Sequence, residues 1–358
     1  MTTSWPPSGP RSAPRSTRVE SAAAPGGGHG RFRCLELYCG IGGVSAVLAG
    51  STALSAKGGR PSLHVRGVDI NTIALEVYRH NFGHPAAAKL VESLTPEELE
   101  AELWWASPPC QPFTRRGLRR GLEDPRGQTF AALLERLEEL RPPYFAFENV
   151  VGFEGTEAQD ALLGSLERAG YPRIRQWRRC PSELGWPVRR PRFYLIASRS
   201  ERGLAEVERG QRVSGAGGPR IPLSSLLDPE GPPAESPLWV ETALAERYAG
   251  ALHVVNAADA GAVTTCFTSA YGRSPVRSGS YLRTDAGRLR RFSPSEILRL
   301  LGFPPTFRLP PELPMGNGWR LVGNSLALPA VREVLAHVPE LLPVSKSRPP
   351  RLDSSSAS

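Results

Sequence analysis

Short apolar runs alternate with stretches of helical periodicity along most of this chain. Strands are expected at 32–38, 65–70, 103–106, 144–148 and 192–197, where leucine, aromatic and β-branched side chains cluster. Helices are expected at 43–48, 72–82, 129–140 and 159–169, where apolar positions recur at helical spacing. Strand–helix alternation of this kind predicts an α/β fold with a doubly wound sheet. From about 199 to 260 the pattern breaks into turn-rich pieces, read as an insertion or small second domain. Order returns at Ser293-Pro294-Ser295-Glu296, where serine at the N-cap, proline at the first helical position and glutamate at the third announce a helix. A last apolar helix is expected at about 326–338. Residues 1–30 and 343–358, rich in small and polar residues, are expected as disordered tails.

Composition narrows the function. A chain of 358 residues can bury one large core, or a core with a smaller second unit. Its formal charge of +9 suggests a polyanionic partner, nucleic acid foremost. Five cysteines without a C-x-x-C pair argue against a disulfide scaffold and a zinc site. A reducing, cytoplasmic setting is expected, with no metal. No apolar run reaches the length of a membrane span.

Four strand ends and one strand start carry candidate chemistry. Leu35-Glu36-Leu37-Tyr38-Cys39-Gly40-Ile41-Gly42-Gly43 reads as a strand, a glycine turn and a helix start, where backbone can approach a ligand closely. The next strand ends in Asp69, suited to the ribose hydroxyls of a nucleoside cofactor; no G-x-G-x-x-G is present, which disfavours NAD. Asp69 could equally cap the helix that follows, and so could Asn71. After the third strand comes Ser107-Pro108-Pro109-Cys110-Gln111, a stiff turn presenting one thiol at a sheet edge. The bland alternative is a small buried cysteine. Glu148 closes the next strand and, in a parallel sheet, faces the same crevice. Arg190 and Arg192 point the same way at the start of the last strand, as a functional pair or as a charged edge.

Taken in order, these segments resemble the motifs of the cytosine-C5 methyltransferase family, over about residues 32–198 and 283–340. The resemblance implies a Rossmann-like sheet of the class I S-adenosylmethionine-dependent methyltransferases with a small target-recognition domain. Residues 31–198 and 283–342 would form the catalytic part and 199–282 the recognition region. S-adenosyl-L-methionine would lie against Tyr38, Ile41, Gly42 and Gly43, with Asp69 and Ile70 at its ribose and Val91, Glu92 and Ser107 along its adenine and methionine ends. Asn324 and Ser325, in Gly323-Asn324-Ser325, would fold back beside it. Cys110 would add to C6 of cytosine, because C5 becomes nucleophilic only once C6 carries a nucleophile. Glu148 would hold the N3/N4 edge and protonate N3, which burial favours. Arg190 and Arg192 would orient the thiol or the base and favour the thiolate. The target base must leave its stack to be reached.

The finer resemblance is to the type 2 subfamily, which looks like DNA methyltransferases but modifies tRNA. It rests on Pro112-Phe113-Thr114-Arg115, on Thr265-Cys266-Phe267-Thr268-Ser269-Ala270-Tyr271-Gly272, and on Leu301-Gly302-Phe303-Pro304-Pro305-Thr306-Phe307. It implies a cytosine in a tRNA anticodon loop, position 38 of aspartate tRNA in the family. An unpaired loop base suits RNA recognition. Arg115, Arg116, Arg119 and Arg120, with Arg126, flank the nucleophile; Arg173, Arg175, Arg178 and Arg179 precede the last strand. Both groups are read as phosphate-contacting surface. Cys266, Phe267 and Thr268 are expected at the nucleic-acid side, and Cys266 is either near the active site or a packed thiol. Val188 stands where the family usually has glutamine or asparagine. A DNA cytosine-C5 methyltransferase is the nearest rival, and a nucleic-acid-binding protein without catalysis is the rival from another class.

Overall fold

The computed structural model describes residues 31–52, 62–109, 125–207 and 221–341. The first half comprises β1 (Arg31–Leu37), α1 (Gly43–Thr52), β2 (Ser62–Asp69), α2 (Thr72–Asn81), β3 (Ala86–Ala88), α3 (Pro96–Leu99) and β4 (Leu103–Ala106). Then follow α4 (Pro125–Leu140), β5 (Tyr144–Val150), α5 (Glu157–Arg168), β6 (Arg173–Arg179) and β7 (Arg192–Ser198). The strands form one seven-stranded sheet in the order β3-β2-β1-β4-β5-β7-β6. Strands β1 to β5 pair in parallel, and β7 runs antiparallel between β5 and β6. The α/β expectation holds, with element ends shifted by a few residues.

Both faces of the sheet are covered, which is why its central strands are continuously apolar. Leu103, Trp105, Tyr144, Ala146, Tyr194 and Ile196 face one core with α1, while Trp104, Phe145, Phe147, Phe193 and Leu195 face another with α4 and α5. The period-2 alternation sends neighbours Trp104 and Trp105 to opposite sides. Strand order reverses between β1 and β4, and at such a switch point the carboxyl ends of the strands open a crevice. The glycine turn and the Pro-Pro segment leave the sheet at that edge, and Glu148 lies near the carboxyl end of β5.

Three expectations need correction. Arg173–Arg179 is an edge strand, not merely basic surface; its alternating charges hide the strand pattern, and edge strands carry charge to resist pairing with other chains. The last apolar helix forms as expected, as α9 (Leu328–Leu335), but a helix not foreseen, α8 (Met315–Asn324), stands before it; the glycines at 316, 318 and 323 mask it. The turn-rich region holds α6 (Thr242–Arg247) and β8 (His253–Asn256), and β8 joins β9 (Ser280–Arg283) and β10 (Leu289–Arg291) in a small sheet ordered β10-β9-β8. Leu223, Leu238, Val255 and Phe267 share the apolar cluster of Leu103 and Trp105, so this region packs onto the main core. The helix announced at Ser293 is α7 (Pro294–Leu300), with a complete capping box: Glu296 N donates to Ser293 Oγ at 3.1 Å and Ser293 N to Glu296 Oε2 at 2.8 Å.

Candidate active site

The glycine turn after β1 is tightly built. Tyr38, Gly40 and Gly42 have φ of 56°, 53° and 89°, the left-handed region that is uncommon for a side chain like tyrosine. A Cβ on Gly42 would come within 2.4 Å of the Phe82 ring, and one on Gly43 within 2.9 Å of Leu326. Both glycines are therefore required by packing. Gly40 differs: a Cβ there would meet nothing within 4 Å, so this side of the turn is open. Asp69 stands beneath it, accepting from Gly40 N and Asn71 N at 2.8 Å each. Asn71, not Asp69, is the N-cap of α2, its Oδ1 accepting from Ala74 N at 3.2 Å. Beside Asp69, Ile70 is 63% exposed, an apolar side chain left uncovered at a strand end.

An open glycine turn, a carboxylate with remaining lone pairs and an exposed apolar neighbour fit S-adenosylmethionine, which presents ribose hydroxyls and an adenine but no phosphate. Glu92 is exposed, whereas Val91 is buried in the apolar cluster of Leu37 and Trp104. Ser325 is buried and Asn324 exposed at the end of α8, whose close approach brings Leu326 against Gly43.

A residue not singled out from sequence holds this turn together. Glu36, in β1, is buried and accepts from Val44 N (2.9 Å), Ser45 N (3.0 Å) and Ser45 Oγ (2.6 Å) at the start of α1. Burial outweighs these donors and pushes its carboxyl up to about 7. The available signal was an acid flanked by leucines within a buried strand.

At the other side of the crevice, Asn149 Nδ2 donates to Pro108 O at 3.2 Å and Trp105 Nε1 to Ser107 Oγ at 2.8 Å, fixing the segment that leads to the nucleophile position. Cys110 itself lies outside the described residues, as do Arg115, Arg116, Arg119 and Arg120. Glu148 is 8% exposed and pairs with Arg192 Nε at 3.2 Å. Burial raises its carboxyl above the usual range, against the opposing pull of Arg192, Arg190 and a Ser107 hydrogen bond. This carboxyl thus tends to keep its proton, as a group that must donate to a ring nitrogen should.

The two neighbouring arginines divide their work. Arg190 is 4% exposed, and both terminal nitrogens of its guanidinium meet protein acceptors: Nη1 donates to Phe267 O (2.9 Å) and Cys266 Sγ (3.3 Å), Nη2 to Ser325 O (2.5 Å) and Gly323 O (3.1 Å). These bonds tie the start of β7 to the Cys266–Phe267 and Gly323–Ser325 segments. Arg192 alone contacts Glu148. Cys266 sits against both guanidiniums; burial raises its thiol, but Arg190 and Arg192 prevail and hold it below its usual value. Of its two expectations, proximity to the site is the one realised.

Phe267, expected at the nucleic-acid side, is 2% exposed and packs edge-on against Tyr271 and Phe292 at 5.0 and 5.3 Å, so its ring cannot stack on a base. The Thr268 backbone runs so close to Gly323 that a Cβ on the glycine would come within 2.3 Å of it. Val188 is fully buried, and its neighbours bond along the backbone, Arg189 N to Thr264 O at 2.8 Å and Thr264 N to Pro187 O at 3.0 Å. On β6, Arg175 and Arg178 pair with Glu206 and Glu154, and Arg179 pairs with Glu333 (2.5 Å) and Glu183 (3.0 Å). Acids distant in sequence thus neutralise arginines that read as a free basic run. Among the described residues, no group of three or more His, Cys, Asp or Glu could hold a metal ion, and no helix is long and apolar enough to cross a membrane.

The sheet order, the glycine turn above Asp69 and the buried Glu148–Arg192 pair define a doubly wound α/β protein with a candidate site in the crevice at the carboxyl ends of its strands. The family model described as C-5 cytosine-specific DNA methylase matches residues 32–216, and the chain belongs to this family of cytosine-C5 methyltransferases. The bovine (Bos taurus) tRNA (cytosine(38)-C(5))-methyltransferase is 30% identical over 85% of this chain and 98% of its own. A DNA (cytosine-5)-methyltransferase of Dictyostelium discoideum is 29% identical over 85% of this chain and 93% of its own. Among solved structures, a variant of Spodoptera frugiperda DNMT2 superposes with a TM-score of 0.72 and 26% identity, covering 85% of this chain and 98% of that one.

Proposed function

We propose that this protein methylates C5 of a cytosine in tRNA, using S-adenosylmethionine, through a transient bond between Cys110 and C6. The observation that carries the reading is the buried Glu148, paired with Arg192 and facing the Ser107–Pro108 segment that Asn149 ties down. S-adenosylmethionine, when bound, supplies an electrophilic methyl group. Tyr38, Ile41 and the glycine turn would seat it, with Asp69 at its ribose and Ser107 and Asn324 beside its methionine end.

The chain's own residues do the rest. The Cys110 thiolate adds to C6, forming the C–S bond, while Glu148 gives its proton to N3. The ring electrons then reach C5, which takes the methyl group. Water takes the C5 proton as the thiolate is expelled, which restores the aromatic ring, and N3 returns its proton to Glu148. Arg192 holds Glu148 in place, and Arg190 holds the strand that carries Arg192.

The names of the mammalian and insect relatives support tRNA as the substrate, and an anticodon-loop cytosine, position 38 of aspartate tRNA, is the specific target proposed. Residues 31–198 and 283–342 would form the catalytic part and 199–282 would present the RNA, with Arg115, Arg116, Arg119, Arg120 and the Thr268 backbone at that surface. The four described cysteines are all free thiols, which suits the proposed reducing cytoplasm. A DNA substrate is the second reading, favoured by the Dictyostelium relative's name. Methyl transfer from labelled S-adenosylmethionine to bulk tRNA and duplex DNA, side by side, separates them. Label on tRNA alone, abolished by Cys110→Ala, is expected. Label on DNA alone overturns the substrate, and label on neither overturns the activity.

A further inference from the structure

A continuous hydrogen-bond chain leads away from the glycine turn to a histidine at the edge of the sheet. Ser45 Oγ lies 2.6 Å from Glu36 Oε2 and 2.9 Å from Tyr78 Oη, and Tyr78 Oη lies 3.0 Å from His84 Nδ1. Glu36, Ser45 and Tyr78 are buried, while His84 is partly exposed and borders a cavity of about 400 Å³. None of these contacts takes part in the methyl-transfer steps.

The chain has two possible polarities, and the end groups choose between them. With Glu36 ionised, Ser45 donates to the carboxylate, Tyr78 must donate to Ser45, and His84 Nδ1–H must donate to Tyr78. With Glu36 protonated, every donor can reverse, and Nδ1 of a neutral His84 accepts from Tyr78. An imidazolium has protons on both nitrogens and permits only the first polarity. The two protonations therefore oppose each other: burial lowers His84 and raises Glu36, so Glu36 takes the proton first as pH falls, and it grips Val44 N and Ser45 N most strongly while still ionised.

We propose that the Glu36–Ser45–Tyr78–His84 chain makes His84 a positioning residue for the cofactor turn, coupling its protonation to the anchoring of α1 beneath S-adenosylmethionine. The same residues pack the turn itself, since the Tyr78 and Phe82 rings lie under Gly42 and His84 stacks on Phe82 at 5.2 Å. Other charged or titratable groups face the two ends. Around Glu36 these are Cys34, Cys39 and Asp69; around His84 they are Arg33, His64, Arg66, Glu97 and Glu100 along the cavity. They shift the coupling but are not links in it.

The inference rests on the reading that S-adenosylmethionine occupies this turn. The test measures its dissociation constant by calorimetry from pH 5.5 to 8.5 for the unaltered protein, Tyr78→Phe, His84→Phe and the double variant, with thermal unfolding as the check on folding. Either single variant should weaken binding about three- to tenfold, the size of one net hydrogen bond, and flatten the pH dependence. The double variant should be no worse than Tyr78→Phe, because one break already interrupts the chain. Additive effects, or a pH profile that survives both substitutions, overturn the inference and leave the proposed function standing. If Tyr78→Phe does not fold, the partly exposed His84→Phe decides alone. No binding by the unaltered protein overturns the functional reading and the inference with it.

Discussion

Two buried glutamates stand at opposite sides of the same crevice, and they have been given different work. Both are pushed toward the protonated form by burial. Glu36 is enclosed by three donors from the first turn of α1, so its oxygens are occupied by its own fold. Glu148 has an arginine and a serine on one side and the end of the strand on the other, so part of its hydrogen-bonding capacity faces the crevice. A shifted carboxyl alone does not mark a catalytic acid; what matters is whether its lone pairs are already used.

Replacing each acid in turn sharpens this contrast most. Glu148→Gln keeps the shape but removes the proton donor, and should lower the methyl-transfer rate about 100- to 10,000-fold, the usual range for a general acid. Cofactor affinity should hardly change. Glu36→Gln should do the reverse, weakening cofactor binding while sparing the rate at saturating cofactor. Single-turnover rates and calorimetry together read both, and equal losses of rate in the two variants would erase the distinction.

The neighbouring arginines extend the comparison to structure against chemistry. Arg190→Ala removes a charged donor from four acceptors and should cost roughly 3 kcal/mol of stability or more, read by urea unfolding. Arg192→Ala should unfold at nearly the same denaturant concentration but raise the Glu148 carboxyl further, moving the alkaline fall of the rate to higher pH. A large stability loss in Arg192→Ala would contradict this division.

Glu36 also predicts a pH dependence of stability. Between its ordinary value of 4.5 and about 7, the folded protein holds a proton that the unfolded chain has released. The folded state is therefore favoured most below pH 4.5 and loses about 3 kcal/mol from this group as pH rises to 7. Glu36→Gln lacks that loss, so its stability relative to the unaltered protein should improve from pH 5 to pH 8. Parallel stability curves for the two proteins would exclude it.

Much of this was legible beforehand because it depends on local pattern. The strand at 103–106 was readable to the residue, since both its faces are buried and Leu-Trp-Trp-Ala has no polar break. Ser293, Pro294 and Glu296 declared their helix because capping is satisfied within four residues. Strand β6 was not legible, because its charges are answered by Glu154, Glu206 and Glu333, which only folding brings near. Arg190 and Arg192 looked alike because both sit two apart at one strand end. Nothing local states that Gly323 and Phe267 will surround the first and Glu148 will meet the second.

By itself, then, the order of residues determined the element types, the family chemistry and the edge of the sheet where that chemistry gathers. Each of these follows from periodicity, caps and short motifs, which act over a few residues. The tertiary structure decided which charged groups are free and which are committed. Whether Glu36 holds a helix or Glu148 meets a base depends on partners and burial supplied by distant segments, and the strength of a charge interaction depends on the surroundings that folding creates.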